Sequence, residues 1–239
     1  MKCNVLIPMA GEGSRFKDAG FSTPKPFIKV DGEPMIYRVY KNLKPKCSHR
    51  FIFICRSEHV REMRRIFKKE KVTIITVDKP TKGALCTTLF ARDFIDNKTP
   101  LIIGACDQLV DIDINDFLSN CENTDGCLMT YNSDKDNHSF SRVEDGVVVE
   151  TAEKRVISNN ANVGIYYFGS GEDYCEAAEK MLDYKDTYNN EYYIAPAYNH
   201  LVGRNIIIYE IHPTAAHNIG TPYELRQYRN RSGKLPDDE

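Results

Sequence analysis

The chain opens with an apolar run, Asn4-Val5-Leu6-Ile7, that leads through Pro8-Met9-Ala10 into Gly11-Glu12-Gly13-Ser14-Arg15 and then meets Pro24-Lys25-Pro26. This pattern commits the first element to a strand that ends in a glycine turn. Gly11 and Gly13 lack a Cβ, so they can take positive φ and let backbone N–H groups approach an anion closely. Arg15 and Lys25 add charge that the backbone cannot supply. A Gly-x-Gly pair also serves any tight strand-to-helix turn. Arg15 and the Pro-Lys-Pro tip are what make the stretch read as a phosphate site.

Further apolar runs at Phe51–Cys55, Val72–Val77 and Leu101–Ala105 are continuous instead of alternating, as expected for strands buried on both faces. Segments with helical spacing lie between them: Met35, Val39 and Leu43; Val60, Met63 and Phe67; and Leu85, Leu89, Phe90 and Phe94. Alternating strands and helices predict an α/β fold with a mostly parallel sheet covered on both sides and ligands at the carboxyl ends of the strands. Gly11–Arg15 and Asp107 fall at such ends. The second half predicts strands at Cys127–Tyr131, Val147–Glu150, Val163–Phe168 and Ile206–Glu210, and helices around Glu172–Leu182 and Tyr192–Val202. With no linker and no repeat, the expectation is one domain over residues 1–228 and a frayed polar tail over 229–239.

The 239 residues carry 32 basic and 34 acidic side chains, a formal charge of −2, which gives no global attraction to nucleic acid or to an anionic membrane. No apolar stretch approaches the roughly 18 residues of a membrane span, and the short N-terminal run reads as a strand and not a signal peptide. Eight cysteines without a Cys-x-x-Cys pair fit free thiols in a reducing, cytoplasmic setting. A homo-oligomer stays open.

Two common nucleotide motifs are excluded. The glycine loop lacks the Gly-Lys-Ser/Thr ending of a P-loop, and Phe16 stands where a dinucleotide fingerprint needs its third glycine. Asp107, after Leu101–Cys106, is a candidate magnesium ligand, since Mg²⁺ commonly takes one or two carboxylates with phosphate oxygens and water. The competing reading is an Asp that caps a helix or turns the chain. Asp113 reads as the cap of a helix from Ile114. Lys154 reads from its own sequence as a solvated partner of Glu153. Asn190–Tyr193 and His217–Pro222 read as helix starts.

With these residues in hand, the chain resembles the nucleotidyltransferases that activate sugar 1-phosphates, together with related small-molecule cytidylyltransferases. The resemblance rests on Pro8–Arg15, Pro24-Lys25-Pro26, Val30, Gly32 and Pro34-Met35-Ile36, followed in order by Gly83, Asp107, Glu153-Lys154, Asn162–Tyr166 and Gly220-Thr221-Pro222. It implies a Rossmann-like three-layer sandwich with a mixed, mostly parallel sheet. The nucleotide would bind over Met9, Ala10, Gly11, Glu12, Gly13, Ser14, Arg15, Pro80, Gly83 and Ala84. The acceptor would lie toward Lys154, Asn162, Gly164 and Glu191. Arg15 and Lys25 would be catalytic, holding phosphates, and Mg²⁺ would sit at Asp107 and Asn218. The partners implied are an NTP and a small phosphorylated acceptor.

Two departures matter. Asn218 stands where many members have a second metal-binding aspartate, which weakens the Coulombic hold on the cation. Lys79–Lys82 replaces a glutamine-containing stretch of uridine and thymidine enzymes, a weak pointer to CTP. The rival readings are cytidylyl transfer to phosphocholine or a phosphorylated amino acid, which acidic or aromatic cation-binding groups would favour; a nucleotide-binding regulatory module, motivated by Asn218; and a glycosyltransferase, motivated by Asp111-Ile112-Asp113.

Overall fold

Alternation along the first strand decides the layering. Val5, Ile7 and Met9 join one buried cluster and Leu6 and Ala10 another, because successive side chains of a strand point to opposite faces. The computed structural model describes residues 2–201 and 203–232. In chain order its strands are β1 (Lys2–Met9), β2 (Lys29–Val30), β3 (Glu33–Pro34), β4 (Ser48–Arg56), β5 (Val72–Val77), β6 (Leu101–Gly104) and β7 (Gln108–Val110). They continue with β8 (Gly126–Asn132), β9 (Ser139–Glu144), β10 (Val147–Glu153), β11 (Asn160–Phe168), β12 (Ile206–Ile211) and β13 (Ala216–Asn218). The helices are α1 (Ser14–Asp18), α2 (Met35–Asn42), α3 (Val60–Ile66), α4 (Ala84–Thr88), α5 (Arg92–Ile95), α6 (Ile114–Cys121), α7 (Gly171–Asp183) and α8 (Pro222–Ser232).

The central sheet has nine strands in the order β10-β9-β11-β6-β1-β4-β5, with β8 on the other flank of β11 and β12 beyond it. Only β10 and β11 oppose the common direction, so the sheet is mixed and mostly parallel, as expected. One face is covered by Met35, Ile36 and Val39 of α2, Met63 of α3, Phe117 of α6 and Leu225 of α8. The other is covered by Leu85, Ile95, the Tyr174–Met181 face of α7 and a 3-10 helix over Ala195–Leu201. The result is a three-layer sandwich.

The sheet forks at β11. Its C-terminal half pairs with β6 through Ile165–Phe168, while β9 meets it on that flank at Ala161. Between the two, Gly164 takes φ 93° and its carbonyl accepts from Ala105 N–H at 3.0 Å. A residue with a Cβ is strained at that φ, so the fork is written in the glycine.

The structure revises several expectations. Phe90 and Phe94 do not join the buried face of their segment; they are 54% and 36% exposed. A 3-10 turn at Leu89–Ala91 breaks the helix and rotates Ala91 inward, so the buried positions are Leu85, Thr87, Thr88, Ala91 and Ile95. Thr88 is tolerated there because its hydroxyl donates to Leu85 O and pairs with Tyr174 Oη. Asn190–Tyr193 starts no helix; Tyr188 and Glu191 exchange both backbone hydrogen bonds, and the 3-10 helix begins at Ala195. Val202, the expected end of that helix, lies outside the described residues. Thr221 does start a helix, accepting from Glu224 N–H and donating to Glu224 Oε2. That helix, α8, runs past the boundary expected at residue 228: Arg229 donates to Lys29 O, and the helix continues to Ser232. Residues 233–239 of the expected tail lie outside the described residues.

Packing of α7 gives a direct test. A Cβ on Gly171 would overlap the Ile95 carbonyl oxygen and lie 2.9 Å from its carbon. Gly171→Ala is expected to cost about 1–3 kcal/mol in a urea denaturation series, the range for overpacking. An unchanged midpoint would show that α7 is not held against α5.

Candidate active site

A cleft of about 630 Å³ opens at the carboxyl ends of β1 and β6, where the fork separates the strands. One wall is the loop from Pro8 to Ser14. Gly13 takes φ 65° as the residue before α1, and a Cβ there would press on Lys25 Cβ at 3.1 Å. Gly11 takes no positive φ, against expectation, and a Cβ on it would meet nothing within 4 Å. Its missing side chain leaves room in the cleft instead of permitting a turn.

The second wall is Pro80, Thr81, Gly83, Ala84 and Thr87. Gly83 takes φ 111°, and a Cβ would lie 2.6 Å from Tyr192 N and overlap its carbonyl oxygen. The close approach allows Tyr192 N–H to donate to Lys82 O while Leu85 N–H donates to Tyr192 O, at 2.8 and 3.1 Å. Glycine is therefore required both by dihedral and by contact, and the 80s loop is clamped to the segment that carries Glu191.

At the floor, Lys25 Nζ donates to Asp107 Oδ2. Burial works against the lysine charge, but the Asp107 carboxylate outweighs it and holds the ammonium well above its ordinary range despite opposition from nearby Arg15. Asp107 is fixed by its backbone, whose carbonyl accepts from Ile219 N–H, and by β7 pairing with β13, which sets Asn218 opposite Gln108. A Cβ on Gly220 would overlap Asp107 Oδ2 and lie 3.0 Å from Asn218 Oδ1, so both oxygens crowd the same bare face. Asn218 is already engaged: its oxygen accepts from Gly220 N–H and its amide donates to Glu224 Oε1. Among the described residues, no three His, Cys, Asp or Glu side chains converge to hold a metal by themselves. Cys106 also lines the cleft, with its thiol pushed up to about 11 by burial, so it is a poor nucleophile at neutral pH.

The far end is bounded by Glu153, Gly164, Tyr166, Glu191, Tyr193 and Ile194. Burial pushes the Glu153 carboxyl up to about 7; Lys154 pulls it down and Glu191 pushes it further up. Lys154, expected at the acceptor, instead donates from Nζ to Tyr193 Oη at 3.2 Å, with its ammonium 5.1 and 5.4 Å from the Tyr193 and Tyr188 ring centres. Asn162 is buried and spent on strand locking: it accepts from Ser141 Oγ and donates to Ser139 Oγ at 2.7 and 3.0 Å. Arg15 is exposed on α1, outside the cleft lining.

The structure thus brings Met9–Ser14, Lys25, Pro80, Gly83, Ala84, Asp107, Gly164 and Glu191 around one cavity, with Asn218 beside Asp107. Arg15, Lys154 and Asn162 stand outside its lining. Glu153, Tyr166 and Tyr193 also line it, although the expected acceptor residues did not include them. Glu153 was visible in sequence only as the neighbour of Lys154. Asp113 caps α6 by accepting from Asn115 N–H, and Asp111 pairs with His217 outside the cleft, so the Asp-x-Asp pair does not face the cavity.

The chain matches the MobA-like NTP transferase domain over residues 5–227. A search of the curated proteins finds no match. Among solved structures it is similar to a nucleoside-diphosphate-sugar pyrophosphorylase from Vibrio cholerae RC9, with 28% identity, a TM-score of 0.79, and 95% of this chain and 99% of that one covered. A UDP-glucose pyrophosphorylase complexed with UDP-glucose (19% identity, TM-score 0.78, 98% and 99% covered) shares the fold. So does the inositol-1-phosphate CTP transferase from T. maritima (13% identity, TM-score 0.75, 98% and 98% covered).

The raised Glu153 carboxyl has a consequence for stability. Its proton is held more tightly in the folded chain, so the stabilisation is fully present below the ordinary carboxyl value of 4.5 and is lost as pH rises through about 7. Glu153→Gln is therefore expected to raise the melting temperature at pH 8 and to lose that advantage at pH 4 in a pH series of thermal melts. An advantage independent of pH would show that Glu153 is not a desolvated charge.

Proposed function

The chain belongs to the family of MobA-like NTP transferase domains and is a nucleotidyltransferase, and on that basis we propose that it transfers a nucleoside monophosphate from an NTP to the phosphate of a small acceptor and releases pyrophosphate. A sugar 1-phosphate is the leading acceptor class, supported by the Vibrio cholerae relative, and CTP is the donor to test first. The observation that carries the reading is the Lys25–Asp107 pair at the floor of a glycine-walled cleft. An oxygen of the acceptor phosphate attacks the α-phosphorus, a new P–O bond forms, and the bond to the pyrophosphate oxygen breaks with its electron pair. Lys25 would neutralise charge that spreads over the phosphate oxygens, and backbone N–H groups of the Gly11–Ser14 loop, which lines the cleft, would meet the anion. Cys106, whose thiol stays protonated at neutral pH, is given no role, and the transfer is a direct displacement.

The residues fit a magnesium ion. The Asp107 carboxylate and the Asn218 amide oxygen are hard donors that meet at Gly220, each with a lone pair beyond the one given to Lys25 or to Gly220 N–H, and phosphate oxygens would complete the set. Such an ion supplies charge neutralisation at the phosphates. Eight free cysteines, five of them buried, support a cytoplasmic setting.

Magnesium-dependent pyrophosphate release from a grid of NTPs and phosphorylated acceptors tests the reading; silence across the grid with nucleotide still bound would sink it. In the active pair, Lys25→Ala and Asp107→Ala are expected to lose at least about 100-fold in kcat, the scale of a lost transition-state charge contact. A folded Asp107→Ala protein with full activity would remove Asp107 from the mechanism.

A further inference from the structure

The charges that line the cleft are unevenly matched to a substrate that is all anion. Glu12, Asp107, Glu153 and Glu191 line it with Lys25 as the sole basic side chain among the described residues, and Lys25 is committed to Asp107. Of the other three, Glu12 belongs to the glycine loop, whereas Glu153 and Glu191 lie at the end bounded by Tyr166 and Tyr193, with Glu153 at the end of β10, several strands from β1. Among the described residues the Glu153 side chain makes no hydrogen bond or ion pair, although most of it is withdrawn from solvent, and Glu191 is met by the Tyr193 hydroxyl at 2.9 Å.

Two features of this end suit a cation. First, Glu153 is mostly withdrawn from solvent beside a second carboxylate, Glu191, and Lys154, which favours its charge, does not offset that burial. A hydroxyl group arriving there would leave both charges standing, whereas an ammonium would relieve them. Second, the adjoining tyrosines already hold an alkylammonium: Lys154 Nζ sits against the Tyr188 and Tyr193 rings and donates to the hydroxyl that in turn donates to Glu191. Tyr193 belongs both to that arrangement and to the cleft lining. A ring face attracts a cation by its quadrupole, and more strongly where water is excluded.

We infer that the acceptor carries a protonated amine as well as its phosphate, and that Glu153, supported by Glu191 and Tyr193, is the side chain that selects it. The inference rests on the nucleotidyl-transfer reading above. A zwitterionic acceptor lies along the cleft with its phosphate toward Lys25 and its ammonium toward Glu153. Amino sugar 1-phosphates and phosphorylated amino alcohols or amino acids share this chemistry.

The test uses acceptor pairs that differ only in the amine: glucosamine 1-phosphate against glucose 1-phosphate, and phosphoethanolamine against ethyl phosphate. The amine member of the active pair is expected to show kcat/KM at least about 10-fold above its neutral partner, the scale of one desolvated cation contact. Glu153→Gln is expected to bring that ratio toward one. Calorimetry with a non-hydrolysable NTP in the cleft should show the same preference in binding alone. The pair that responds tells an amino sugar from an amino alcohol. Equal or better turnover of the neutral partner, or a ratio unchanged in Glu153→Gln, overturns the inference and leaves nucleotidyl transfer standing. Absence of pyrophosphate release with every acceptor, with nucleotide bound, overturns both.

Discussion

The ion pair between Lys25 and Asp107 joins the two loops on which the cleft depends. Its partners lie 82 residues apart and meet because β1 and β6 are parallel neighbours, so the loops that leave their carboxyl ends emerge side by side. Both side chains are largely withdrawn from water, where a charge without a partner is expensive, so each holds the other in place. Small residues make the arrangement possible. Gly13 leaves space for the Lys25 side chain and Gly220 leaves space for the Asp107 carboxylate.

From this pair the cleft extends in two directions with different chemistry. Toward the glycine loop the walls are backbone and small side chains, suited to a triphosphate that needs close approach. Toward β10 and β11 the walls are carboxylates and tyrosines, suited to reading the body of an acceptor. The Gly83–Tyr192 contact ties one side to the other, because the residue that clamps the 80s loop is the neighbour of both Glu191 and Tyr193. Rigid placement of this kind suits the proposed transfer, which asks for positioning and charge and for no protein nucleophile.

Sequence reading recovered what local periodicity determines. β1, β4 and β6 appeared as continuous apolar runs because both faces of those strands are buried, β5 appeared as such a run although it is a half-buried edge strand, and α2, α6 and α7 appeared through helical spacing or a capping residue. The glycine loop and Asp107 were legible as cleft residues because each follows a strand end, and Lys25 because it stands in the Pro24-Lys25-Pro26 tip. What failed depended on partners distant in sequence. Phe90 and Phe94 keep a helical spacing, but a 3-10 turn shifts the buried face. β7 and β13 are too short to carry a pattern. Lys154 and Asn162 stand outside the cleft lining, with their polar atoms on Tyr193 and on two serines, which sequence order alone does not reveal. Glu153 was passed over because a carboxylate beside a lysine looks like a surface pair until its burial is known.

The central claim is a single direct displacement at phosphorus in this cleft. The stereochemical course at the α-phosphorus, followed with a chiral α-thio-NTP and read by ³¹P NMR of the product, tests it most directly. Inversion is the expected result, since one in-line attack reverses the configuration. Retention would require two displacements through an enzyme-bound intermediate and would contradict the account.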